Sequence, residues 1–270
     1  MHGVKVLCWS LATAGTLLCG PPMHAQVRAS SSDSSRAAAF DRLDRTSRML
    51  IATVNCARSS AKARADGLFG PPDSVGRKGQ CLRKNGRAFG VFFTPDSAFT
   101  KALHLRVVDI AEGVRYLGPV DTTALLAEAR VAQEAVLKGF PSFQREKRQF
   151  VPFSMRSDGD SIEVWLLPLG LVVGRAPSTV GGELAYIYSP DGRILAREID
   201  AFDRHRTLPI PDSGRVELLS REDDLPLVSE LIATNRLHDQ GRDVQLVTKA
   251  FAAQLVGPDP TSVWIQIRRR

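Results

Sequence analysis

Two Asp-Gly steps set the strongest limit on what this chain can fold into. Asp158-Gly159 lies in Arg156–Asp160, between the strand-like segments Phe150–Met155 and Ile162–Leu167. Asp191-Gly192 lies between Glu183–Ser189 and Arg193–Ile199. Asp-Gly between apolar segments is a strong short-range hairpin signal, because a tight turn needs residues that accept positive φ. In the second tip Pro190 presets the second turn position and Gly192 supplies the positive φ at its end. Two hairpins in succession predict an antiparallel sheet, with no helical crossover between the paired strands.

Helical spacing appears on both sides of that sheet region. Leu125, Leu126, Ala129, Ala132, Val136 and Leu137 form an apolar stripe behind a cap at Asp121 or Thr122. Gly139 is the expected C-cap. Upstream, Phe40, Leu43, Leu50, Ile51 and Val54 share one face of a helix capped by Ser34 or Ser35 and running to about Arg64. Further strands are expected at Ala88–Phe93, Leu103–Ile110, Arg215–Leu219, Asp243–Thr248 and Ser262–Arg268, with a short helix at Pro226–Leu237. Pro-Asp recurs at 72–73, 95–96, 190–191, 211–212 and 258–259, where it punctuates turns. The expected fold class is α+β, an antiparallel meander sheet packed against helices with an N-terminal helical region. Residues 36–118 carry a helix, a disulfide loop and two strands. Residues 119–270 carry the helix-plus-sheet region, as a second unit or as one continuous domain with the first.

The N-terminal residues have a different character. His2 and Lys5 precede the apolar run Val6–Cys19, and Gly20-Pro21-Pro22 then breaks it before Met23-His24-Ala25. This order is that of a secretory signal, with cleavage expected between Ala25 and Gln26. The run is shorter than the roughly 20 residues that a membrane-spanning helix needs. Lipoprotein processing at Cys19 is the alternative, with the bulky Leu18 directly before it. Gln26–Ser35 reads as a flexible polar lead. The expected location is periplasmic or extracellular.

Processing would leave Cys56 and Cys81. Two cysteines in an exported chain predict a disulfide, which stabilises by roughly 3 kcal/mol for a loop of this size. From Arg58 to Arg87 the chain is basic. Arg58, Lys62, Arg64, Arg77, Lys78, Arg83, Lys84 and Arg87 face only Asp66 and Asp73. The segment reads as a solvated loop tied by the disulfide, and an anionic envelope surface is the partner its charge would suit. Phe69 is the one aromatic residue before Arg87 in this segment and does not give the interleaving that base stacking uses, so nucleic acid is not expected.

Catalytic signatures are sparse. His104, His205 and His238 have no zinc-binding spacing, and neither a nucleophile elbow nor a phosphate-cradling glycine loop is present. No metal or cofactor is expected. A hydrolase would require one of these histidines beside a carboxylate in a concave site. Trp165, Tyr186 and Tyr188 are read as core residues, with a ligand groove lined by these aromatics as the alternative.

The segment "IEVWLLP" followed by "GGELAYIYSPDGRIL" closes an order of helix, hairpin and strand pair. That order resembles the helix-plus-hairpins layout of PepSY-like and cystatin-like domains in uncharacterised secreted bacterial proteins. The resemblance covers roughly Asp121 to Thr248. It implies a fold and an envelope address, and it carries over no catalytic residue. The expected function is a non-enzymatic binding or structural module of the bacterial envelope, with a secreted hydrolase or a Cys19-anchored lipoprotein as alternatives.

Overall fold

The first helix, α1 (Ser31–Ala65), has 35 residues, about 50 Å at 1.5 Å per residue. It belongs to a computed structural model that describes residues 31–70, 75–84, 87–157, 160–174, 176–210, 215–220, 223–257 and 262–267. The signal and Cys19 expectations, and the Asp158-Gly159 tip, lie outside the described residues. α1 begins earlier than its sequence suggests. Ser34 and Ser35 are inside it, so neither is the cap, and the lead to Ser35 is already helical from Ser31.

The first sheet comprises β1 (Lys78–Lys84), β2 (Arg87–Pro95), β3 (Ala102–Asp109) and β4 (Val114–Arg115), antiparallel in the order β1-β2-β3-β4. The basic segment is therefore not a loop. Its first part finishes α1 and Lys78–Lys84 is an edge strand. Charges on an edge strand hide its pairing from a pattern search and discourage association with other chains.

α2 (Thr122–Arg145) follows, and Ala124 N–H donates to the Asp121 carboxylate at 3.0 Å. Gly139 does not end this helix. It lies buried within it, and a Cβ there would come 2.3 Å from Leu166 Cδ1. The missing side chain lets α2 lie close on the sheet below, and the helix continues through Pro141 to Arg145.

Next come β5 (Phe150–Arg156), β6 (Ile162–Pro168), the short α3 (Leu169–Val172), β7 (Thr179–Val180), β8 (Leu184–Tyr188) and β9 (Leu195–Asp200). The second sheet is antiparallel in the order β5-β6-β8-β9, and β10 (Arg206–Thr207) pairs with β7. A third sheet contains β11 (Val216–Ser220), β12 (Val244–Thr248), β13 (Ala252–Val256) and β14 (Val263–Ile267) in that order. β11 and β12 are parallel, with α4 (Val228–His238) as the connection between them. The α+β class holds, with this parallel pair as the departure from an all-antiparallel meander.

Side-chain parity shows how the layers stack. Phe89, Val91 and Phe93 of the first sheet cluster with Leu125, Leu126 and Ala129 of α2, whereas Phe92 and Val108 cluster with Ala63 at the end of α1. In the second sheet Val164, Leu166, Leu184 and Tyr186 cluster with Val131, Ala135 and Phe143 of α2. Met155, Trp165, Leu167 and Ala185 cluster with Leu50 and Val54 of α1 and with α4. Both sheets therefore lie in one layer, with α1 on one face and α2 on the other. Each fully buried large apolar side chain in these faces contributes about 2 kcal/mol. Residues 36–118 and 119–270 share these clusters.

Candidate functional site

The layer is interrupted between the two sheets. β1 ends the first sheet and β5 ends the second, and these two edges border one cleft of about 620 Å³. That volume is within the usual range of small-ligand sites. α1 contributes Thr53, Ala57, Ser60 and Ala61 to one wall, and α2 contributes Ala129, Ala132, Gln133, Val136 and Leu137 to the other. The side walls are Lys78–Cys81 of β1, with Phe92 behind it, and Val151–Ser154 of β5. Alanines on both helices keep the space open where larger residues would close it. Leu137 stands at the cleft with 67% of its surface exposed, an apolar side chain left to solvent.

Register decides which backbone groups face this space. Ile110 N–H donates to Ala88 C=O, so Ala88 and Gly90 point toward β3 while Phe89, Val91 and Phe93 point toward β1. Their partners on β1 are Leu82, Gln80 and Lys78. The intervening N–H and C=O groups of Gly79 and Cys81 consequently turn outward, away from β2. On the other side Leu169 N–H donates to Gln149 C=O, which places Val151, Phe153 and Met155 in the β6 ladder. The backbone groups of Phe150, Pro152 and Ser154 then face outward. Pro152 occupies the outward position, where its missing N–H removes no ladder bond.

Two polar atoms in the cleft walls are unsatisfied. Ser60 is 3% exposed, and among the described residues neither its Oγ nor the buried Oε1 of Gln80 has a hydrogen-bond partner. Buried polar groups are normally paired, so each orphan raises the free energy of the unliganded wall. The Cys56–Cys81 disulfide fastens α1 to β1 beside this wall, with Cα atoms 6.1 Å apart.

The chain matches no family model, no curated protein and no solved structure.

The aromatics proposed to line a groove are separated. Trp165 faces the α1 side, where its Nε1 donates to Glu163 at 2.9 Å. It lines a recess of about 290 Å³ with Arg42, Arg45 and Arg197. Tyr186 and Tyr188 face α2 on the opposite side of the sheet, so no single groove holds all three. Burial pushes the Tyr186 hydroxyl up to about 12.

The histidines are dispersed. His104 is exposed. His205 lies against Gly182, and burial together with the Arg148 guanidinium holds its imidazole below its ordinary value. His238 Nε2 is 2.6 Å from Gly257 C=O. Among the described residues none of them pairs with a carboxylate, and no group of three or more metal-binding side chains occurs. The basic segment is partly committed to folding. Arg58 donates to Val172 C=O, Arg64 covers the Phe92 ring at 4.9 Å, and Arg87 pairs with Asp109 and Glu112.

Sequence reasoning missed the buried carboxylates. Glu183 is 1% exposed, accepts from Ser229 N–H at 3.2 Å, and among the described residues its Oε2 has no partner. Burial raises its carboxyl above the ordinary range, and the neighbouring Glu230 adds to the shift. Glu230 is held by Arg206 and by Leu227 N–H, while Ser229 Oγ accepts from Gly181 N–H at 2.8 Å. This cluster pins the start of β8 to the N-terminus of α4. It lies away from the cleft and binds elements together. Glu128 is also buried, bonded to Ser154 Oγ at 2.6 Å and raised by desolvation.

Proposed function

We propose that the protein is an exported, non-enzymatic binding module of the bacterial envelope whose ligand occupies the cleft between β1 and β5. The observation that carries this reading is a large, mainly apolar space with outward-turned edge backbone groups on two sides. The Cys56–Cys81 bond and the secretory pattern of the first 25 residues support the exported address.

The reading is tested with anilinonaphthalene sulfonate, whose fluorescence rises in apolar sites. Wild-type protein is expected to bind the dye saturably. Ala132→Trp, which fills the cleft from α2, should weaken binding by about tenfold, equivalent to about 1.4 kcal/mol. Circular dichroism and the melting temperature show whether the variant is folded. Equal dye affinity in a folded variant removes the cleft from consideration.

A further inference from the structure

The cleft interrupts a layer, and it does so at two strand edges. The strand order reads β4-β3-β2-β1, then the cleft, then β5-β6-β8-β9, with α1 and α2 covering both halves from opposite faces. An ordinary apolar pocket does not require open ladder groups on both sides. Here Gly79 and Cys81 offer N–H and C=O groups from one side, and Ser154 and the Pro152 carbonyl offer them from the other.

The geometry points to an extended peptide segment of a partner protein, added as a strand between β1 and β5 so that the two sheets become one. This rests on the cleft being the ligand site and specifies its occupant. An acyl chain would fill the volume yet leave every edge donor and acceptor unpaired, whereas a peptide backbone supplies the complement. The wall lengths, Lys78–Cys81 and Val151–Ser154, suit a segment of about four or five residues.

Sequence preference follows from the two covering helices. Successive side chains of an inserted strand point alternately to α1 and α2. One set meets Thr53, Ala57 and Ala61, and the other meets Ala129, Ala132 and Val136. Both sets are therefore apolar and of moderate size, the continuous pattern of a strand buried on two faces. Pro152 withholds one donor from the edge, which limits indiscriminate pairing.

The test is selection of short random peptides, about seven residues long, on immobilised protein, followed by N-methylation of the retained sequences. Selection is expected to yield apolar, proline-free segments. In a strand between two edges, alternate peptide amides pair with opposite sheets. Methylating the odd amides and methylating the even amides should each weaken binding by about tenfold. Hydrogen exchange at Gly79, Cys81 and Ser154 should slow by a similar factor when the peptide is bound.

Retention unaffected by either methylation set, or weakened by only one, overturns the bridging strand. Failure to select any peptide while anilinonaphthalene sulfonate still binds also overturns it, and leaves the ligand cleft standing. Failure of both peptide and dye removes the two readings together. Slowed exchange at the same three amides that depends only on protein concentration identifies a second copy as the occupant, and again overturns the partner peptide.

Discussion

Glu183 shows how one buried group ties stability to pH. Its carboxyl is raised above the usual carboxylate value because burial disfavours the ionised form. The unfolded chain therefore loses this proton at lower pH than the folded chain does. The stabilising contribution is complete below about 4.5 and disappears as pH rises through the folded value. Glu183→Gln carries no such proton. Urea midpoints should show the variant gaining on wild type between pH 4 and pH 7, with a small difference at the acid end. A pH-independent difference would show that the Glu183 carboxyl titrates alike in the folded and unfolded chains, and would remove the effect of burial. The glycines beside it reverse an expectation. Gly181-Gly182 reads as a flexible lead into its strand, yet Gly181 is fixed by Ser229 and has φ +69. A Cβ at Gly181 would sit 2.0 Å from Arg204 C=O. No local signal could reveal this, because Arg204 and Ser229 arrive from elsewhere in the chain. The Ser189-Pro190-Asp191-Gly192 tip was legible because the bonds that shape the turn are local, although Arg130 and Arg156 also donate to its carbonyls. Asp191 Oδ1 accepts from Ser189 Oγ at 2.6 Å and from Arg193 N–H at 3.1 Å.

At the scale of elements, the disulfide connects two pieces whose relation defines the candidate site. Its sequence separation is 25, and closing a loop of that size stabilises by roughly 3 kcal/mol in the chain-entropy account. Cys56→Ser with Cys81→Ser should lower the urea-derived stability by about that amount. Amide exchange of β1 should accelerate more than that of β6, because β1 is held by one strand neighbour and the bond to α1. Uniform acceleration across both strands would show that the bond acts on the unfolded chain alone. Strands that are nearly continuous apolar runs, such as β6 and β8, were readable from their sequence. β1 was not, since "KGQCLRK" carries the polarity of an edge. β13 was missed for a related reason, because "AAQLV" is short and alanine-rich. The cleft was illegible because it depends on β1 meeting β5, and no motif encodes the space between two edges.

For the molecule as a whole, α1 is the shared component. Its Leu50 and Val54 join the cluster of the second sheet and α4, and its Ala63 joins that of the first sheet. Near its start, Phe40 meets Phe251 and Trp264 edge-on, at centroid distances of 5.3 and 5.4 Å. Trp264 Nε1 also donates to Asp44 at 2.9 Å. Trp264→Ala should therefore destabilise the protein by about 3 kcal/mol, read from denaturant midpoints, through lost burial, ring contact and hydrogen bond. A change below about 0.5 kcal/mol would place this contact outside the cooperative unit.

The seat of Trp264 on α1 also bears on the order in which the chain can fold. Residues 44 and 264 are 220 positions apart, so during synthesis α1 waits for β14 before that face is covered. Until β14 arrives, Phe40 and its neighbours are exposed apolar surface on a nascent chain. Closure of this face is consequently a long-range event, and the growing chain keeps this apolar surface open to aggregation until β14 emerges.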